Sequence, residues 1–90
     1  QSLLEYSQKV QDVIDNNEMC DLENSLIMDY LTELYNKDFD FSNRDAELEV
    51  YNFYAYYDKY SKYLSINGEN SFINLIVRLE LDKLEDINPL

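Results

Sequence analysis

The sequence is short of residues that most enzymes depend on: it has no histidine, no tryptophan, one cysteine, one glycine and one proline. Without histidine there is no Cys-His or Ser-His pair, and one cysteine cannot complete a usual zinc-ligand set. A single glycine excludes a glycine-rich phosphate loop. Paired acids for glycosidase-like chemistry need a cleft, for which a small helical domain has little room. We therefore predict that the protein is not an enzyme and needs no cofactor.

Long hydrophobic runs are also missing. No stretch of about 18 apolar residues is present that would cross a membrane, and Cys20 has no second cysteine for an internal disulfide. These absences predict a soluble, cytoplasmic protein without membrane contact. The 90 residues, of which 46% are hydrophobic, suffice for one core and therefore predict a single domain over residues 1–90.

Basic residues are scarce: 7 Lys and Arg stand against 19 Asp and Glu, which gives a net charge of -12. Such a protein repels nucleic acid and anionic membranes and attracts basic proteins. AT-rich coding would raise Tyr, Asn, Ile and Lys together, yet lysine is low. Coding bias therefore does not explain the acidity, and the charge predicts a basic protein partner with no direct binding of nucleic acid.

Two helices are predicted in the first half of the chain. Ser2 and Glu5 have capping-box spacing, and apolar residues recur at helical intervals over about 2–16. Asp21 is the expected N-cap of a second helix that continues to about residue 37.

A third helix should follow, capped by Ser42 or Asn43 and ending before Asn67 and Gly68. Its predicted inward stripe consists of Ala46, Val50, Phe53, Tyr57, Tyr60 and Leu64.

The fourth segment fits two patterns. Ile73, Val77 and Leu81 belong to an alternation typical of a strand, whereas Phe72, Leu75, Ile76 and Leu79 form a helical stripe. We favour the helix, which predicts a mainly α fold, a small antiparallel four-helix bundle. The alternative is three helices plus a C-terminal β-hairpin.

Six of the nine tyrosines lie between Tyr51 and Tyr63, within the third predicted helix. One helix cannot bury them all, and exposed aromatic residues are enriched in recognition surfaces. We expect Tyr57 and Tyr60 to pack at the core and the others to form rigid contacts among carboxylates. The predicted partner-binding residues are Tyr51, Tyr54, Tyr56, Tyr63, Glu47, Glu49 and Asp58.

The segment DFDFSNRDAELE resembles part of a twelve-residue calcium-binding loop. Loop positions one, three, five and twelve would be held by Asp38, Asp40, Ser42 and Glu49. Asn43 replaces the glycine of the sharp turn, and no second loop is present. The simpler interpretation is a connector that tucks Phe39 and Phe41 under the core, with no metal site.

The run ELEVYNFYAYYDKYSKYLSINGENSFINLIVRLELDKL, residues 47–84, resembles the end of small acidic helical bacteriocin immunity proteins of the colicin D type. It has an aromatic helix, a polar turn and a closing segment with Val77, Leu81, Lys83 and Leu84. The resemblance implies inhibition of a cationic nuclease toxin by an acidic helical protein that covers the toxin's active site.

Charge and aromatic clustering predict an acidic, non-enzymatic inhibitor that neutralises a basic nuclease or another nucleic-acid-handling protein. A first alternative is a phage or plasmid anti-defence protein, an anti-restriction or anti-CRISPR mimic of nucleic acid. Its carboxylates would come from several helices: Asp12, Asp15, Asp21, Asp29, Glu33, Asp82, Glu85 and Asp86. A second alternative is a structural or calcium-binding module, for instance a homodimer formed through the tyrosine-rich helix.

Overall fold

The protein is a bundle of four α-helices. The structure, a computed structural model, describes residues 2–19 and 22–87. The helices are α1 (Leu3–Asn17), α2 (Asn24–Asn36), α3 (Ala46–Asn67) and α4 (Glu69–Ile87). No strand occurs within the described ranges. The prediction of a mainly α four-helix bundle is confirmed, and the hairpin alternative is wrong because Glu69–Ile87 is one helix.

Packing explains why the helical pattern prevails in α4. Its buried residues repeat at helical spacing: Phe72, Ile73, Ile76, Val77 and Glu80. Leu75, Leu79 and Leu81, which the strand pattern would bury on one face, are only partly buried. The helix packs Phe72 and Ile76 against α2 and α3 together with Ile73 and Val77, whereas a strand would put these two pairs on opposite faces.

The ends of α1 and α2 have different caps. The Ser2 hydroxyl accepts a hydrogen bond from the Glu5 amide at 3.2 Å, as the capping-box spacing predicts. After Asn17, Glu18 adopts a left-handed conformation, with φ of 50°. Glu23 occupies the N-cap position of α2 without a side-chain hydrogen bond. The predicted cap Asp21 and Cys20 lie outside the described residues.

The third helix begins later than predicted and is not straight. Its N-cap is Asp45, whose carboxylate accepts a hydrogen bond from the Glu47 amide at 2.9 Å. The prediction that Ser42 or Asn43 caps α3 is therefore wrong; the Ser42 amide instead donates to the Asp40 carboxylate. The helix is kinked at Tyr60. It ends at Asn67, slightly later than predicted, with Gly68 as the C-cap, whose φ of 89° is readily adopted by glycine.

The order of the helices around the bundle is α1, α2, α4, α3. Helix α1 packs chiefly on α2 and α3, and α4 packs on the same two helices. The connection from α2 to α3 therefore crosses the bundle. It buries Phe39 and Phe41, and the Phe41 ring stacks on Tyr6 at 4.6 Å between centroids. The predicted connector with both phenylalanines under the core is confirmed.

Candidate partner-binding site

Helix α3 carries the seven predicted partner-binding residues, but the structure distributes them over three environments. One flank, which we call the acidic flank, consists of Glu47, Tyr51, Tyr54 and Asp58, of which Tyr54 and Asp58 lie beside the end of α1. Tyr56 and Tyr63 lie on the opposite flank, against α4. Glu49 lies in the core.

The burial of Glu49 corrects the prediction that this residue contacts a partner. Its side chain is fully buried, and both carboxylate oxygens accept hydrogen bonds inside the bundle. Tyr6 donates to one oxygen at 3.3 Å, Tyr30 donates to the other at 2.8 Å, and the Arg44 guanidinium donates to both. Other helices contact α3 on two sides, so its buried stripe is wider than Val50 and Phe53 alone and includes Glu49. Arg44 compensates the charge of the buried Glu49 carboxylate.

Arg44 connects Glu49 to a second buried acid, Glu80 of α4. Its Nη2 atom lies 3.1 Å from Glu80 Oε2, and its guanidinium lies over the Phe39 ring. Lys83 Nζ approaches Glu80 Oε1 at 3.2 Å, and the Tyr56 hydroxyl donates to the same oxygen. We call these seven residues the ion network: Tyr6, Tyr30, Arg44, Glu49, Tyr56, Glu80 and Lys83. It joins all four helices, and its two acids and two bases cancel in charge.

The ion network shifts the pKa values of Tyr30, Tyr6 and Glu80. Burial, followed by the charge of Glu49, raises the pKa of the Tyr30 phenol well above its ordinary value, and the pKa of Tyr6 is raised for the same reasons. Burial alone would raise the pKa of the Glu80 carboxyl. The hydrogen bond from Tyr56 and the charges of Arg44 and Lys83 outweigh it and hold that pKa below its usual value.

These shifts predict loss of stability at high pH. The folded pKa of Tyr30 is raised above the ordinary value of 10.0, so its contribution is complete below pH 10 and is lost as the pH rises further, because the unfolded chain releases the proton first. Helicity followed by circular dichroism should therefore fall cooperatively above pH 10, and Tyr30→Phe should shift this fall to higher pH.

Tyr35→Phe is the matched control, because Tyr35 lies on the same helix with its ring half exposed. It should leave the alkaline transition where it is. If Tyr30→Phe also leaves it unchanged, the buried phenol does not determine the alkaline limit.

The position of Glu49 does not fit the predicted calcium-binding loop. Glu49, which would supply the twelfth-position ligand, points into the core and is bound by Arg44. The Asp40 carboxylate accepts a hydrogen bond from the Ser42 amide. Hydrogen bonding by the Ser42 side chain and amide lowers the pKa of Asp40. Within residues 2–19 and 22–87, no group of three or more Cys, Asp or Glu side chains is placed to hold a metal ion.

A surface pocket of about 340 Å³ lies where the end of α1 meets the middle of α3. We call it the Tyr54 pocket; its lining residues are Glu18, Met19, Leu22, Tyr54, Tyr57 and Asp58. Apolar side chains, two phenol rings and two carboxylates thus meet in one concave site. Tyr51, one helical turn before Tyr54 on the same flank, is 52% exposed. The acidic flank and the pocket together form a continuous candidate contact surface.

The sequence pattern predicts only two of the six residues that line this pocket as partner contacts. Tyr54 and Asp58 were predicted as contacts, whereas Glu18, Met19 and Leu22 were not, because they come from the α1–α2 junction. One signal was present in the sequence: the last turn of α1 contains no basic residue. A helix C-terminus usually attracts a cation, and the last turn of α1 itself supplies none.

The opposite flank is less suited to a basic partner. The Tyr56 hydroxyl forms hydrogen bonds with Glu80 and Lys83. Tyr56 therefore stabilises the contact between α3 and α4. Tyr63 is 38% exposed, but it lines a separate surface pocket with Arg78. A cation at that position repels basic side chains.

Fold and site together define an acidic four-helix bundle with an internally neutral ion network and an aromatic, acidic surface pocket. Comparison with protein-family models, curated protein sequences and solved structures finds no match to this chain. The resemblance of residues 47–84 to colicin D-type immunity proteins therefore stays a prediction. Among the described residues, no helix has the length and apolar character needed to span a bilayer.

Proposed function

We propose that the protein is an acidic, non-enzymatic inhibitor that binds and neutralises a basic nuclease or another nucleic-acid-handling protein in the cytoplasm, as immunity proteins do. The observation that carries the proposal is the location of the charge. Both buried acids are paired inside the ion network with Arg44 and Lys83. The net charge of -12 therefore belongs to the remaining ionised side chains, most of which face solvent.

Charge and aromatic contact would act on different steps of binding. Opposite charges steer a basic protein toward this surface and raise the association rate, an effect that weakens as salt is added. Tyrosine offers a large, rigid contact area that slows dissociation once it is desolvated. On the acidic flank, Tyr51 supplies the most exposed ring, and Glu47 and Asp58 supply charges at either end.

An anti-defence protein that imitates nucleic acid is the second candidate, and the wide distribution of acids favours it. Exposed carboxylates occur on all four helices and on the connection before α3: Glu5, Asp12, Asp15, Glu18, Glu23, Asp29, Asp38, Asp40, Asp45, Glu47, Asp58, Glu69 and Asp82. A mimic would use acids of several helices about equally, whereas the inhibitor proposed above depends on the acidic flank.

The test begins with capture of binding proteins from the source organism's lysate on immobilised protein, with elution by a salt gradient. The captured protein is then purified, its nuclease or nucleic-acid-binding activity is measured with and without this protein, and the affinity is determined. We expect one basic protein, inhibited at equal molar ratio. Recovery of the bait alone, as a homodimer, or a captured protein whose activity is unaffected would overturn the proposal.

Tyr51→Ala should weaken the affinity for that partner by about tenfold or more, as truncation of an aromatic contact residue commonly does. Asp29→Asn on α2 is a control for general charge and should change affinity little. If Asp29→Asn and Asp12→Asn weaken binding as much as Asp58→Asn, acids of several helices contribute alike. The nucleic-acid mimic is then the better interpretation.

A further inference from the structure

We infer that the Tyr54 pocket receives a single arginine side chain of the basic partner. This inference rests on the proposed function and specifies the contact at its centre. At about 340 Å³, the pocket lies at the small end of the roughly 300–1,000 Å³ typical of ligand sites. This volume accommodates one long side chain, and the composition of the pocket identifies which one.

The apolar part of the pocket suits the aliphatic stem of a long basic residue. Met19 and Leu22 line it from the α1–α2 junction, and methionine adapts its shape to a guest. The rings of Tyr54 and Tyr57 line it from α3. Phe72 contacts the Tyr57 ring edge-on, at 6.0 Å between centroids, so this wall is supported from the core. An arginine can lay its methylenes along such a surface while its charged group reaches the rim.

The charged part of the pocket suits a cation. Two exposed acidic residues line it, Glu18 at the end of α1 and Asp58 on α3. Helix α1 ends at Asn17, so the negative end of its dipole lies beside Glu18. Because no basic residue occurs in its last turn, a cation from a partner would supply the favourable charge that the chain itself does not provide there.

Arginine fits this combination better than lysine. Its planar guanidinium stacks on aromatic faces, is less strongly hydrated than an ammonium group, and can pair with a carboxylate through two parallel hydrogen bonds. The pocket offers two rings and two carboxylates, which a planar donor can use together. A lysine would bring a compact charge that keeps more of its water.

The backbone conformation at Glu18 favours glycine over glutamate, so the end of α1 does not require this side chain. Glutamate is held there at φ of 50°, a conformation that glycine adopts more readily and that commonly carries glycine at the end of a helix. An acid at a helix C-terminus is also unfavourable for the dipole. We therefore expect Glu18→Gly to stabilise the fold, with a rise in melting temperature of about 2–6 °C.

The experiment uses nitrogen-15 NMR of the full chain titrated with acetyl-Gly-Arg-Gly-amide. Matched peptides carry lysine, or citrulline, which has the shape of arginine without its charge. We expect shifts concentrated at Glu18, Met19, Leu22, Tyr54, Tyr57 and Asp58, larger for arginine than for lysine and absent for citrulline. Glu18→Gly and Asp58→Asn should each weaken the response severalfold, whereas the Asp29→Asn control should retain it.

Glu18→Gly is the decisive variant, because lost binding in a more stable protein cannot result from unfolding. Shifts spread evenly over the acidic helices, or an equal response to lysine, would overturn the inference. The proposed function is tested separately with the captured basic protein. If that protein is inhibited as strongly by Glu18→Gly and Asp58→Asn as by the parent chain, the inhibitor function stands and the arginine pocket is wrong. If no basic protein is captured, the function fails whatever the peptides do.

Discussion

Arg44→Ala should lower the free energy of unfolding by about 3–5 kcal/mol, the usual cost of removing one partner from a buried ion pair. The reason is that Arg44 serves two buried carboxylates at once, those of Glu49 and Glu80. Without it, Glu49 keeps hydrogen bonds from two phenols but has no neighbouring positive charge. For a domain whose whole stability is about 5–15 kcal/mol, this loss is large enough to leave part of the population unfolded.

Urea denaturation followed by circular dichroism measures the effect. The matched control is Arg78→Ala on α4, because Arg78 is exposed and such changes are usually within about 0.5 kcal/mol. Joint replacement of Arg44, Glu49 and Glu80 by apolar residues of similar size, with Tyr6 and Tyr30 changed to Phe, should recover most of the loss, since no charge or hydroxyl of this cluster is then buried without a partner. Equal stability of Arg44→Ala and Arg78→Ala would show that the ion network contributes little to folding.

Phe53→Ala should cost a similar amount, about 3–5 kcal/mol, through the cavity that it leaves. Phe53 is fully buried on α3. Its ring lies 5.0 Å from the Tyr30 ring of α2 and 6.0 Å from the Phe72 ring of α4, centroid to centroid. The side chain thus contacts two other helices, and alanine would lose both contacts together with the buried apolar area.

Tyr51→Ala is the control for this change, because it also truncates an aromatic residue of α3, two positions away. Tyr51 is half exposed, so its loss should change the unfolding free energy by no more than about 0.5 kcal/mol. The same variant is expected to weaken partner binding, so a stable Tyr51→Ala protein separates binding from folding. If Phe53→Ala lowers the free energy of unfolding less than Tyr51→Ala does, the Phe53 ring does not hold α3 against α2 and α4.

Local signals in the chain predict most of the helical framework. Ser2 caps α1 through the Glu5 amide, as its spacing indicates, and Gly68 ends α3 where the only glycine of the chain stands. The apolar stripe of α3 is correctly predicted at Val50 and Phe53, which are fully buried. Such features depend on residues a few positions apart, and the physics that decides them is contained in the helix itself. The acidity is a property of composition and needs no structure.

Tertiary structure alone decided which acids are exposed and which residues meet. A helical repeat assigns Glu49 to a face, but only the packing of α1, α2 and α4 around it makes that face buried, and only that packing brings the Tyr6 and Tyr30 hydroxyls to its carboxylate. The Tyr54 pocket likewise combines α3 with the α1–α2 junction, segments more than thirty residues apart. Contacts between distant segments depend on the order of the helices around the bundle, which no local periodicity specifies.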